Sequence, residues 1–577
     1  MRGPGSGDSI KASARAFWLV AAAALLYASW SAWRLTWVCD DAFISFRYAE
    51  NLVRGLGLVF NPAERVEGYS NFLWTLWDAV GLRLGADAER WSTVSGIACY
   101  AGALAVLAWN SWTTRGERTG LTRWVPIAAL LGALLPDWHI FATSGLETAL
   151  YTLEVTLIYA VLSRGEPGPL RGATAGLLLG MTAMTRPDGL IFAAAAGLFA
   201  LLVDRRRPRT IAALAGAFLI VWVPYTAWRM SYYGDFFPNT YYAKSAAYAW
   251  YRQGAIYVCL YFIRYWPLLL GAVLSGLAWP PTARDREAER PALGSWHRSA
   301  ALASMLSLAS LAFVVYVGGD FMFGRFLIPV TPLLLILLEL GIARFAEARP
   351  RTQWLLAGVA TAGIVMTPYP YPHDPFASVR GIVQERNYYP PRWTEPTRAH
   401  GLALRPFFAG LPVRVAFFGS EARLIYYARP RVAIECTTGL TDRQIARQPL
   451  KKRTRIGHEK LASLDYLIGV RRAHFTFFEG AANVLRLDRA IPKVEIELAG
   501  VRGRILYWDP ALLDSLRQRG ASVEDFPAEL DRLLEEPSLA IKWGGRPYCD
   551  NLRRFYFDHV RDPRREALLL QRLRENE

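Results

Sequence analysis

Two adjacent aspartates, Asp40 and Asp41, follow directly on the first hydrophobic run of the chain. Carboxylates are expensive within a bilayer and uncommon at its edge without a role. Three further polar stretches interrupt apolar sequence in the same way: Arg186-Pro-Asp188, Asp235 to Lys244, and Asp320 to Arg325. Together they offer carboxylates, three bases (Arg186, Lys244 and Arg325), and aromatic walls from Phe236, Phe237, Tyr241 and Tyr242. Arginine grips phosphate with a bidentate fork and lysine as a point charge. A carboxylate can take the proton of an attacking sugar hydroxyl. Aromatic rings pack against sugar faces and isoprenoid chains alike. The set suits attack by a hydroxyl on an anionic, lipid-linked sugar donor.

Each feature also has a plainer reading. Arg186-Pro-Asp188 could end a helix, with proline as punctuation and arginine snorkelling to the interface. Asp320 and Arg325 could form a structural ion pair, and Lys244 could be a solvated charge. The aspartate pair is harder to explain away, because two buried neighbours disfavour joint ionisation.

The elements that must position these groups are membrane helices. The chain has 577 residues, 53% hydrophobic and 20% charged, with 21 Trp. Its 66 Lys and Arg against 49 Asp and Glu give a net charge of +17. The basic residues fall in short clusters between apolar runs, as expected of cytoplasmic loops. A nucleic-acid-binding protein would gather them on one face or tail, so no nucleic-acid partner is expected. Apolar runs recur near 17–38, 91–110, 124–141, 146–163, 171–185, 189–203, 210–228, 255–279, 298–317, 326–345 and 353–367. The first is too long for a signal peptide and is read as an uncleaved helix after a cytoplasmic tail, 1–16. Basic loops around Arg115 to Arg123, Arg164 to Arg171, Arg205 to Arg209, Arg284 to Arg290 and Arg344 to Arg351 read as cytoplasmic. About 11 transmembrane helices satisfy these loops if 71–84, with Asp78 and Arg83, is an interfacial or re-entrant helix. The four polar stretches, and an outer loop over 39–90, then share the opposite face.

After Pro368 the sequence becomes charged and lacks a spanning run. Residues 368–577 are long enough to bury a core and read as an extracytoplasmic α/β domain, with 17–367 as the transmembrane part. Strand, helix and strand are expected over 413–419, 420–428 and 431–435, with further strands over 466–470 and 493–498. Five cysteines fit no zinc or redox spacing. A Cys436–Cys549 disulfide and two separate thiols are both left open. His458-Glu459 lacks the second histidine of a zincin, since position 462 is Ala, and Gly55-Leu-Gly57 lacks a third glycine. No metal site is expected, although a divalent cation is compatible with the acidic residues.

The stretch Asp40-Asp-Ala-Phe-Ile-Ser-Phe-Arg-Tyr-Ala49, with Gly57-Leu-Val-Phe-Asn-Pro62 and Glu67-Gly-Tyr-Ser-Asn71, resembles the first outer loop of GT-C glycosyltransferases. The resemblance is to the terminal arabinofuranosyltransferases of mycobacterial type and their proteobacterial relatives. Phe237 to Lys244, Gly318-Gly-Asp-Phe-Met322 with Arg325, Gly439-Leu-Thr-Asp442 and Gly457-His-Glu-Lys460 are similar to further blocks of that group. The resemblance implies a multi-pass enzyme of the bacterial inner membrane whose active site faces the periplasm. It implies transfer of a sugar, D-arabinofuranose in the best-known members, from a polyprenyl-phosphate donor to a cell-envelope glycan or glycoprotein. The catalytic aspartate maps to Asp40 or Asp41. Arg186, Lys244 and Arg325 are the candidates for the donor phosphate. Arg47, Glu67, Tyr69, Asn71, Asp188, Asn239 and Asp320 are the candidates for substrate contact. A transporter or flippase of lipid-linked glycans is the alternative, but it would show internal repeats and midplane charges, which the sequence lacks.

Overall fold

The computed structural model describes residues 6–115, 118–164, 168–278, 295–347, 349–371, 374, 376–455, 457–535 and 546–575. The basic run 284–290 lies outside the described residues. The chain divides into two compact units: 1–42, 70–236 and 246–389 form the first, and 43–69, 237–245 and 390–577 the second.

The first unit is built of helices. In chain order they begin with α1 (Ser6–Arg34), the N-terminal end of α2 (Asp40–Val53), α3 (Phe72–Arg83) and α4 (Ala88–Thr114). There follow α5 (Ile127–Gly132), α6 (Pro136–Ala142), α7 (Thr148–Ser163), α8 (Pro169–Thr185), α9 (Gly189–Val203) and α10 (Pro208–Tyr233). Helices Tyr251–Arg264, Pro267–Leu277, Ser295–Val317, Thr331–Phe345 and Pro350–Met366 complete it, with a small hairpin pairing β1 (Ser378–Val379) to β2 (Ile382–Val383). Among the described residues, four helices are long and apolar enough to cross a membrane: Ala14–Arg34, α4, α10 and Ser295–Val317. Tyr251–Arg264 and Pro267–Leu277 add a fifth if taken as one span, although they meet at 91°. Leu219, Ile220 and Val223 stand exposed on α10, as lipid-facing residues do. The protein is a polytopic, α-helical membrane protein.

Close packing of α8 on α10 follows from one sequence pattern. Gly172, Gly176 and Gly180 recur every fourth residue, and a Cβ added at the first two would fall 2.3 and 2.2 Å from the carbonyls of Thr210 and Leu214. Small residues at this spacing let helix backbones approach without a side chain between them. Two sequence expectations fail here. The run 124–141 is not one helix but α5 and α6, because Pro136 has no N–H to continue the first and instead opens the second. The run 255–279 is likewise broken ahead of Pro267.

The second unit centres on a six-stranded mixed sheet in the order β4-β3-β5-β7-β6-β8. Its strands are β3 (Arg414–Phe417), β4 (Val432–Glu435), β5 (Phe475–Thr476), β6 (Glu495–Leu498), β7 (Val501–Ile505) and β8 (Ser522–Val523). β3 runs parallel to β4 and β5, with helix Ala422–Ala428 crossing between β3 and β4 as the sequence pattern requires. The other pairings are antiparallel. Asn61 finishes the β4 edge: its side-chain amide accepts from Ala433 N at 2.8 Å and donates to Ala433 O at 2.9 Å. That pair of bonds copies what a neighbouring strand would offer. Tyr466–Val470, expected as a strand, is a π-helical turn. Cys436 and Cys549 are buried free thiols.

Candidate active site

In the first unit the polar stretches meet around a residue that sequence reasoning passed over. Glu147 sits just ahead of α7, buried, in the turn Thr143 to Glu147. Its Oε1 lies 3.1 Å from Arg186 Nη1 and 3.5 Å from Arg325 Nη2. Its Oε2 accepts a 3.1 Å hydrogen bond from Asn71 Nδ2. Burial pushes this carboxyl up, but Arg325 and Arg186 outweigh it and hold Glu147 below the usual carboxylate range.

Arg186 occupies the turn between α8 and α9, where Pro187 forbids a continuous helix. Its Nε donates to Asp188 at 2.9 Å, and its guanidinium lies over the rings of Tyr151 and Phe326 at 5.2 and 4.7 Å. Arg325 comes from the loop between the helices Ser295–Val317 and Thr331–Phe345. Its Nη1 stands 3.4 Å from Asp320, whose other oxygen accepts from the amide of Phe321. Burial opposes the Arg325 charge, while Glu147, Asp320 and Asp41 favour it, and the net effect raises its pKa. Arg325 Nε is buried without a hydrogen-bond partner among the described residues. Two guanidiniums are thus held side by side by one shared carboxylate, each with a second carboxylate of its own.

The aspartate pair opens α2, where a carboxylate complements the helix dipole. Cys39 N donates to Ser144 O at 2.9 Å, tying this helix start to the turn that carries Glu147. Asp40 is buried and Asp41 is half-buried. Among the described residues Asp41 has no side-chain hydrogen bond or ion pair, although its charge acts on Arg325. Glu147, Asp188 and Asp320 are all committed to arginines. Of these four carboxylates, Asp41 is the one without such a partner among the described residues.

The structure gathers Asp40, Asp41, Asn71, Arg186, Asp188, Asp320 and Arg325 in the first unit, and places Arg47, Glu67, Tyr69, Asn239 and Lys244 in the second. Several of the latter are used internally. Arg47 donates to Phe60 O and Pro430 O, both at 2.8 Å. Asn239 donates to Gly439 O and Leu440 O at 2.9 and 2.8 Å, and its amide N–H to Glu67 O at 3.0 Å. Tyr69 packs edge-on against Tyr48 at 4.8 Å. Lys244 lies beside Gly457, where an added Cβ would stand 3.7 Å from its Cγ. No group of three or more His, Cys, Asp or Glu among the described residues is disposed to hold a metal ion.

The structure of ArnT from Cupriavidus metallidurans in the apo state matches at a TM-score of 0.52 and 14% identity, over 84% of this chain and 97% of that one. The chain thus shares the fold of that protein. It is similar to the terminal β-(1→2)-arabinofuranosyltransferase of Mycobacterium tuberculosis, 29% identical over 416 residues, or 64% of this chain. The enzyme of the same name from Corynebacterium glutamicum is 28% identical over 350 residues, 56% of this chain. The chain spans 65% and 50% of the lengths of these two relatives. No family model matches.

Proposed function

We propose that this protein is a glycosyltransferase that moves a sugar from a polyprenyl-phosphate donor to a glycan or glycoprotein acceptor. The observation that carries the reading is the uncommitted Asp41 carboxylate in the same unit as the paired guanidiniums of Arg186 and Arg325. Asp41 takes the proton of the acceptor hydroxyl as its oxygen bonds to the anomeric carbon. The bond from that carbon to the phosphate oxygen breaks, and polyprenyl phosphate leaves with the electron pair. The arginines meet the developing phosphate charge from a site already desolvated, where such contacts count most. Glu147 keeps the two forks apart and aimed, so no side chain has to reorganise during the step. Similarity to the arabinofuranosyltransferases supports D-arabinofuranose as the sugar. The alternation of basic and poorly basic loops supports an inner-membrane enzyme with this site on the periplasmic face.

Of the two aspartates, Asp41 is the base in this reading and Asp40 shapes the helix start. Asp41→Asn should therefore lower transfer by about two to four orders of magnitude while the protein still inserts and binds polyprenyl phosphate. Assay of radiolabelled pentose transfer in membranes from a deletion strain measures this directly. Normal turnover in Asp41→Asn would remove the residue from the chemistry.

A further inference from the structure

Beside the paired arginines lies a second polar cluster with no role in the mechanism above. Asp137 on α6 is fully buried. Its Oδ2 accepts from Tyr265 Oη at 2.5 Å, and its Oδ1 takes a long, 3.4 Å hydrogen bond from Gln384 Nε2. A carboxylate can accept about four hydrogen bonds, so acceptor capacity remains. Arg264 is sandwiched between the rings of Tyr265 and Tyr369, 4.6 and 4.8 Å from their centroids. Its Nη1 is spent on Ile364 O, and its Nε is buried without a partner among the described residues. The Tyr371 hydroxyl is likewise buried with no hydrogen bond among the described residues. Phe323 meets the rings of Tyr369 and Tyr371 edge-on at 5.8 and 5.5 Å.

The cluster adjoins the loop that carries Arg325. Gly324 has φ of 76°, and a Cβ built there would stand 3.7 Å from Cβ and Cγ of Asp137. Buried polar groups are nearly always hydrogen-bonded, so this many spare donors and acceptors beside aromatic faces calls for an occupant. A partner that both donates and accepts at neighbouring atoms, with an apolar face for the rings, is a polyol. We propose that Asp137, Arg264 and Tyr371, framed by Tyr265, Tyr369 and Gln384, form the subsite for the hydroxyls of the donor's sugar ring. This rests on the transferase reading, and it separates recognition of the sugar from recognition of the phosphate: the arginines hold the latter, this cluster the former.

The test uses the full-length protein in lipid nanodiscs and two probes, polyprenyl phosphate and polyprenyl-phosphoryl arabinofuranose. Tyr371→Phe removes one oxygen, and Asp137→Asn keeps the shape of the side chain. Each should weaken binding of the sugar-bearing lipid about ten-fold, the usual effect of one buried hydrogen bond, and leave binding of the bare phosphate lipid unchanged. Equal losses for both lipids, or none for either, would overturn the subsite and indicate a cluster satisfied by water. A wild-type protein that binds neither lipid would instead overturn the transferase reading, and this proposal with it.

Discussion

Replacing Glu147 with glutamine tests the arrangement at its centre. The change keeps the shape but removes the charge shared by Arg186 and Arg325. Stranding a buried charge costs about 3–5 kcal/mol. Here each arginine keeps a second carboxylate, Asp188 at 2.9 Å and Asp320 at 3.4 Å, so the loss should be nearer about 2 kcal/mol. Part of it comes from a hydrogen-bond mismatch. If the glutamine oxygen faces the arginines, its amide nitrogen faces Asn71 Nδ2, and two donors oppose each other. A flip of Asn71 would break the bond its Oδ1 accepts from Thr75 at 3.2 Å, and the Thr75 hydroxyl would have to turn and accept instead. The double variant Glu147→Gln, Asn71→Asp supplies an acceptor there and returns the negative charge, so it should recover much of the loss. Thermal unfolding in detergent and the donor KM read both effects. Because the folded state holds Glu147 below the usual carboxylate range, its contribution is present above the ordinary carboxylate pKa and disappears as pH falls through the lower, folded value. The wild-type advantage over Glu147→Gln should therefore vanish in acid. A double variant no better than the single one, or a single variant indistinguishable from wild type at neutral pH, would refute the bridging role.

Two further predictions concern groups away from the site. His474 in the second unit accepts from Arg414 N through Nδ1 at 3.0 Å, and burial pushes its pKa down from 6.5 to about 4. The unfolded chain then binds the proton first, so stability should fall as pH drops from 6.5 towards 4, by up to about 3 kcal/mol; His474→Asn, whose oxygen can still accept from Arg414, should flatten that slope in acid-unfolding curves. Asp78 on α3 is fully buried, and neither carboxylate oxygen has a partner among the described residues. Asp78→Val should raise thermal stability by about 1–2 kcal/mol, and a fall would show that the carboxyl is bonded or used.

The aspartate pair, Arg186 and Arg325 were legible because charges at the ends of apolar runs stand out against their surroundings. Glu147 was not. It is a single acid in Thr143-Ser-Gly-Leu-Glu147, with no base nearby in sequence, and its partners lie 39 and 178 residues away. Its signal was weak but present: an unexplained carboxylate opening an apolar helix. Glu67 and Asn239 stood out only through resemblance; nothing in the sequence alone signalled that the side-chain N–H groups of Asn239 bond the carbonyls of Gly439 and Leu440. Helix existence followed from hydropathy, but the breaks at Pro136 and Pro267 did not, since proline is also common within membrane helices. Tyr466–Val470 has the composition of a strand, and five residues are too few for periodicity to decide between strand and helical turn.

The discontinuity of the second unit governs the order in which the protein can be completed. Segments 43–69 and 237–245 are synthesised long before 390–577, which supplies the sheet they pack with. Until then Asn61 has no Ala433 to pair with and Arg47 no Pro430 to clasp. Assembly of this unit therefore waits for 390–577, and the early loops must remain uncommitted until that stretch has been made. A cut after Thr367 would not release a self-sufficient membrane part, because it would strip both loops of their counterparts. Exchange of the C-terminal region between relatives would have to carry 43–69 and 237–245 along with it, as three pieces of one inherited body.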